Sequence, residues 1–249
     1  CKGEMSVQKL MGQMRAAMER YQMVQPGDKI AVGISGGKDS LTLLAGLAKL
    51  RDYYPVPFSL VAITADPCFG GVETDFSPVE KFCQELDVPY LLRRIRLGTI
   101  IFEERKEENP CSLCARMRRG ILHEMAKANG CTALALGHHF DDAVQTFFMN
   151  LFYGGKLGCF SPKSYLSRRE LWLIRPMVFC EERDIRNASQ RLQFPVVKSA
   201  CPADGCTSRK DTELLVTALE KQFPDLRKKV MGAMPRAGRD HWGAVSCCT

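Results

Sequence analysis

Ser35-Gly36-Gly37-Lys38-Asp39-Ser40 has the composition of an anion cradle set between an apolar strand, "KIAVGI", and a helical pattern. Gly36 and Gly37 let backbone N–H groups approach an anion closely, Ser35 and Ser40 offer hydroxyls, and Lys38 and the positive end of the following helix add charge. The plain alternative is an ordinary strand-to-helix turn. A second group of reactive side chains is sulfur-based, for the chain holds twelve cysteines. Cys111 and Cys114 form a C-x-x-C at a helix start, where the helix dipole and Arg116, Arg118 and Arg119 favour thiolates. Cys201 and Cys206 lie in "KSACPADGCTSRK". Thiolates ligate metal, and a four-ligand zinc site, an iron-sulfur cluster and a thioredoxin-like dithiol all remain open at this point. The third group is "GHHFDD", with His138, His139, Asp141 and Asp142. Carboxylates there can hold Mg²⁺ against phosphates or cap the next helix, and the two histidines suggest either zinc or a nucleotide contact.

The elements that must position these groups alternate. "KIAVGIS", "FSLVAITAD", "PYLLRRIRL", "TALALG" and "ELWLIRPMVF" read as apolar strands, each but the last followed or preceded by a helical pattern of its own, and "EERDIRNASQRLQF" follows the fifth. Such strands imply an α/β fold with a doubly wound, parallel five-stranded sheet and helices on both faces. Ligands bind such sheets at the carboxyl ends of the strands. Asp66, after the second strand, is then placed for a ribose or base, and Arg175, ending the fifth, for phosphate. A P-loop would need Gly at Val32 and Ser or Thr at Asp39, and a dinucleotide fingerprint a different glycine spacing, so neither fits.

Length and charge bound the rest. A chain of 249 residues with 45% hydrophobic content suits one sizeable domain with small appendages. No apolar run reaches the roughly 18 to 20 residues of a membrane span, since "LTLLAGLAKL" is closed by Lys49 and Arg51. Residues 1–24 read as an amphipathic helix without the features of a secretory signal, which points to a cytoplasmic protein with no membrane partner. The start at Cys1 rather than Met points to residues removed or left out ahead of it. Disulfides are rare in that compartment. Cys68, Cys83, Cys131, Cys159 and Cys180 read as buried small hydrophobes, and Cys1, Cys247 and Cys248 as incidental. A net charge of +7 allows a polyanionic partner, with "FPDLRKKVMGAMPRAGR" as a candidate RNA surface or a solvated face. Residues 211–249 form a basic helical segment and an irregular tail.

The hexapeptide resembles the pyrophosphate-binding loop, or PP-loop, of the ATP pyrophosphatases, which cleave ATP between its first and second phosphates. Together with "CSLCARMRRG", "GHHFDD", "FFMNLFYGG", "IRPM" and "CPADG" in that order, the segment from Tyr21 to Lys210 is similar to the tRNA 2-thiocytidine synthetases. The resemblance implies a PP-loop ATP pyrophosphatase domain over 25–210. It also implies ATP contacts at Ser35, Gly36, Gly37, Lys38, Asp39, Ser40, Asp66, Gly137 and His138, and Mg²⁺ at Asp141. A 4Fe-4S cluster on Cys111, Cys114 and Cys201 would leave one iron open. These three cysteines and Asp141 are the expected catalytic residues, with Arg118, Arg119 and Arg175 at RNA or phosphate. Cys206 departs from the usual pattern and would close the open iron if it were a fourth ligand.

By this resemblance the protein is a tRNA-cytidine 2-sulfurtransferase acting on cytidine 32 of the anticodon loop. Its partners would be tRNA, a sulfur donor (a cysteine desulfurase or inorganic sulfide) and a second copy of itself in a homodimer. The competing readings are a related thiolase acting on a uridine or a non-tRNA substrate, an amide-forming synthetase, and a non-catalytic metal-binding RNA adaptor. Uridine-specific relatives carry extra zinc-binding cysteine clusters at both ends, which this sequence lacks.

Overall fold

The computed structural model describes residues 2–97, 110–198, 201 and 208–243. In chain order the elements are α1 (Lys2–Arg20), β1 (Asp28–Gly33), α2 (Lys38–Arg51), β2 (Phe58–Asp66), α3 (Ser77–Glu85), β3 (Tyr90–Arg94) and α4 (Pro110–Ala128). They continue with β4 (Ala133–Ala135), α5 (Phe140–Gly154), β5 (Lys163–Leu166), β6 (Leu171–Ile174), α6 (Glu182–Arg191), α7 (Ser208–Gln222) and α8 (Leu226–Arg236). One sheet runs β3-β2-β1-β4-β6-β5. The five expected strands are its parallel members, and the sixth, β5, pairs antiparallel with β6 at the edge. The fifth parallel strand stops at Ile174, short of the expected Phe179, because Pro176 follows closely and cannot donate to a ladder.

β1 lies at the centre and shows why both faces must be covered. Ile30 and Val32 point to one side and Ala31 to the other, and all three are fully buried, as the two-residue period of a strand requires. Helices cover the faces unevenly. Residues of α1, α2, α3, α5 and α6 join Ile30 and Val32 in the larger core. Among the described helices, α4 covers the other face, through Ile121, Leu122, Met125 and Ala126.

The amphipathic reading of the N-terminal segment matches α1. Leu10, Met14, Ala17, Met18 and Tyr21 recur at helical spacing and are all buried. The helix packs on α2 and α6, and Lys9 adds an ion pair to Asp184 at 2.5 Å. None of the described helices is long and apolar enough to cross a membrane.

The turn from β1 into α2 positions the site. Gly36 sits at φ +84°, in the left-handed region, and its carbonyl accepts a hydrogen bond from Val197 N at 2.9 Å. A Cβ at Gly36 would come within 3.0 Å of Val197 Cβ and 3.3 Å of Phe76. At Gly137, after β4, a Cβ would meet the backbone of Asp39 and Ser40 at 3.2 Å, so only glycine lets β4 approach the loop so closely. Gly36→Ala is therefore expected to lower unfolding free energy in urea by about 1–2 kcal/mol from the left-handed backbone alone, more if Val197 cannot retreat. An unchanged urea midpoint would contradict the strained-turn account.

Candidate nucleotide and sulfur-transfer site

The carboxyl ends of β1, β4 and β6 open on a cavity of about 630 Å³. Ser35, Asp39 and Ser40 form one wall, and Gly137 and His138 another. Arg118 and Arg119 come from α4, Asp142 and Thr146 from α5, and Arg209 from α7, while Phe160 and Arg175 complete the ring. Four arginines against two carboxylates make this an electropositive cleft suited to a polyanion.

The loop is ordered from within. Ser40 Oγ donates to Gly37 O at 2.9 Å and accepts from Ser35 N at 3.2 Å, and Gly37 N donates to Ser35 Oγ at 3.3 Å. Gly36 and Gly37 shape the turn rather than line the cavity. Lys38 is also outside the lining, held by Asp39 and by Glu182 at 3.1 Å each. Burial works against its charge, but the two carboxylates prevail and its pKa lies above the ordinary lysine value.

Two groups on the cavity wall, buried Arg175 and half-buried His138, keep buried polar atoms open. Arg175 Nη1 donates to Ser161 O at 2.5 Å, and the guanidinium lies 4.8 Å from the Phe160 ring centre. Burial pulls its pKa down to about 10, so it stays charged at neutral pH. The His138 ring packs 5.0 Å from Phe160. Burial, then the charge of Arg175, lowers its pKa to about 4, so the ring is neutral. Arg175 Nε and His138 Nδ1 have no hydrogen-bond partner among the described residues. Buried polar atoms are nearly always paired, so this wall is built for a polar ligand.

The paired aspartates, of which Asp141 is the expected Mg²⁺ residue, have different partners. Asp141 Oδ1 lies 2.6 Å from Arg227 Nη1, and its Oδ2 accepts from Glu182 N at 2.7 Å. Both oxygens are engaged in tying α5 to α6 and α8, and Asp141 does not line the cavity. Asp142 does. Its Oδ2 caps α5 by accepting from His139 N at 3.1 Å, and its Oδ1 pairs with Arg209 at 2.6 Å. His139 is buried beside Asp142 and Asp39 rather than facing the ligand space.

Asp66, the expected ribose or base contact, lies behind the cavity wall. It is fully buried, and its carboxylate accepts from Cys68 N at 3.1 Å, Thr74 N at 2.9 Å and Thr74 Oγ1 at 3.2 Å. It organises the loop after β2, while its neighbour Ala65 reaches the cavity.

Positions 111, 114, 115 and 118 share one face of α4, and that face reaches the cavity through Ala115 and Arg118. Cys114 is buried in an apolar cluster with Leu97, Phe69, Ile95 and Met117. Cys201 is half-buried. Cys206, Cys1, Cys247 and Cys248 lie outside the described residues. Cys68, Cys83, Cys131, Cys159 and Cys180 are all buried as expected, and burial pushes the Cys83 and Cys159 thiols up to about 12. No group of three or more His, Cys, Asp and Glu side chains arranged for a metal ion occurs among the described residues.

Arg209, Phe160 and Thr146, which line the cavity, and Arg227, which holds Asp141, are not singled out by the sequence. One signal was available for Arg209: a cation in the first turn of a helix opposes the helix dipole and calls for a compensating anion.

Fold and cavity together define a PP-loop nucleotide-binding domain. The chain matches the PP-loop domain family over residues 6–202. It is 38% identical to the tRNA-cytidine(32) 2-sulfurtransferase of Syntrophotalea carbinolica over 92% of this chain and 87% of that one. With the Geobacter sulfurreducens protein of the same name the identity is 37%, over 91% and 88%. Among solved structures, the U34-tRNA thiolase NcsA from Methanococcus maripaludis, determined with its 4Fe-4S cluster, superposes with a TM-score of 0.79. It is 28% identical, over 94% of this chain and 79% of that one. The chain belongs to the tRNA-cytidine(32) 2-sulfurtransferase family of PP-loop proteins.

The neutral His138 ring gives a pH prediction. Its folded-state pKa of about 4 lies below the ordinary 6.5. The stability it contributes is therefore complete above pH 6.5 and is lost as pH falls from 6.5 towards 4. Chemical denaturation of His138→Gln across this range should show a shallower loss than the wild type, and parallel curves would contradict the assignment.

Proposed function

We propose that this chain is an ATP-dependent tRNA sulfurtransferase that replaces the position-2 oxygen of cytidine 32 with sulfur. The observation that supports the proposal is one cavity lined both by the PP-loop and by Ala115, Arg118 and Arg119 of α4, the helix that opens with the C-x-x-C. In this reading the loop and the N-terminus of α2 take the pyrophosphate end of ATP. Arg175 and His138 offer Nε and Nδ1 to the substrate, and the arginines stabilise charge that develops on phosphorus. An unpaired anticodon-loop base can be drawn out of its stack and brought to the nucleotide.

The reaction has two substitutions. The base oxygen attacks the first phosphorus of ATP, and pyrophosphate leaves. Sulfur then attacks the activated carbon, and AMP departs with the former base oxygen. An amide-like carbonyl is a poor electrophile until its oxygen is derivatised, which is why ATP is needed.

Cys111, Cys114 and Cys201 would hold a 4Fe-4S cluster. Three soft thiolate donors and the apolar surroundings of Cys114 fit such a group, whose chemistry when bound is to offer a soft iron site to sulfide. Asp142, which lines the cavity and shares the His139 ring as a neighbour with Asp39, fits a hard cation such as Mg²⁺ better than Asp141 does. The sulfur donor in this reading is a cysteine desulfurase or inorganic sulfide, and the protein works as a cytoplasmic homodimer. The nucleotide domain extends over 25–210, with α1 and the C-terminal helices as flanking elements.

A second reading has a specific observation behind it, for the solved structure that superposes at a TM-score of 0.79 is a U34-tRNA thiolase. Nucleoside analysis separates the two. Anaerobically purified protein incubated with unmodified tRNA, ATP, Mg²⁺ and sulfide should yield 2-thiocytidine by mass spectrometry. Cys201→Ala should abolish the product and reduce bound iron from roughly four per chain. Formation of 2-thiouridine would move the activity to uridine, and absence of any thionucleoside from iron-loaded, ATP-binding protein would contradict both readings.

A further inference from the structure

Arg209 reaches the cavity from the first turn of α7, far along the chain from every other wall residue. Its Nη1 lies 2.6 Å from Asp142 Oδ1 and 3.4 Å from Gln145 Oε1. Both contacts thus use one of the three guanidinium nitrogens. The two partners of the ion pair are held differently. Asp142 has partners besides Arg209, for it sits in the first turn of α5, at the positive end of that dipole, and accepts the His139 N–H. Arg209 is a cation at the positive end of its own helix, next to Lys210, and gains from any anion that arrives.

The pair is also open to competition. The side chains of Arg209 and Asp142 remain 42% and 20% exposed, so water weakens their attraction. A phosphate group offers a guanidinium a bidentate, doubly charged acceptor, which is the stronger partner.

We propose that Arg209 is a phosphate-exchange residue: it masks Asp142 while the cavity lacks nucleotide, and transfers to the nucleotide's phosphates on binding, which frees Asp142 for a divalent cation. This rests on the reading of the cavity as a phosphate site. The exchange makes nucleotide and cation binding mutually reinforcing, and it draws α7 to the ligand. It also explains a cation in a helix turn where an anion is the usual choice.

The exchange predicts effects of opposite sign, which loss of a merely structural contact would not give. Binding of a non-hydrolysable ATP analogue is measured by calorimetry, and binding of Mn²⁺ to the nucleotide-free protein by electron paramagnetic resonance. Arg209→Met should weaken the analogue by about 10- to 100-fold, the effect of losing a charge-assisted hydrogen bond. The same variant should bind Mn²⁺ more tightly, by about 10-fold, because Asp142 is unmasked. Asp142→Asn should remove the Mn²⁺ gain. Should Arg209→Met fail to fold, Arg209→Lys carries the test, since an ammonium keeps the charge but loses the fork and should still weaken the analogue. Unchanged analogue affinity, or weakening of both ligands together, overturns the proposal. A wild-type protein that binds no analogue removes the phosphate reading, and the exchange falls with it.

Discussion

Gly36, at φ +84°, turns the central strand directly into the N-terminus of α2, and the groups of the cavity are placed around that turn. The loop can present N–H groups and hydroxyls to an anion because its own bonds, Ser35 to Ser40 and Ser40 to Gly37, hold it open rather than collapsed onto the strand. Gly137 then lets the next strand close against the loop backbone, which brings His138 alongside. α4 crosses the other face of the sheet and delivers Arg118 and Arg119 to the same opening. The parallel sheet is thus a means of gathering side chains from distant parts of the chain at one end.

Charge is organised around this point by pairing some residues and leaving others open. Asp141 and Arg227 neutralise each other and join α5 to α8, so they contribute to the frame. Arg175 and His138 each keep one buried nitrogen without a partner among the described residues. Buried groups of this kind cost stability unless a ligand satisfies them. The site therefore trades some stability of the empty protein for affinity, as binding sites generally do.

Features encoded locally were legible in the sequence. The loop, the four-residue burst after β4, the C-x-x-C helix start and the five apolar strands are each contained in a short segment with its own signature. β5 was missed because four residues at a sheet edge, partly exposed, carry too little periodicity to register. Side-chain direction was the harder problem. Two adjacent aspartates in one helical turn differ by about 100° in direction, so "DD" cannot tell which faces the ligand. Asp66 looked like a ribose contact from its place after β2, but loop closure through Cys68 and Thr74 claims its carboxylate. Arg209 and Arg227 meet their partners across 67 and 86 positions, a pairing no local pattern encodes. Arg227 also shows that the basic C-terminal segment is in part an internal ion-pair partner rather than an open RNA surface.

The central claim is that the cavity activates a base by attaching AMP to its oxygen before sulfur arrives. The most direct measurement follows that oxygen. With tRNA carrying ¹⁸O at position 2 of cytidine 32, mass spectrometry of the released AMP should find one heavy oxygen in its phosphate for each 2-thiocytidine formed. Unlabelled AMP accompanying normal thiolation would contradict adenylation of the base and require another role for ATP.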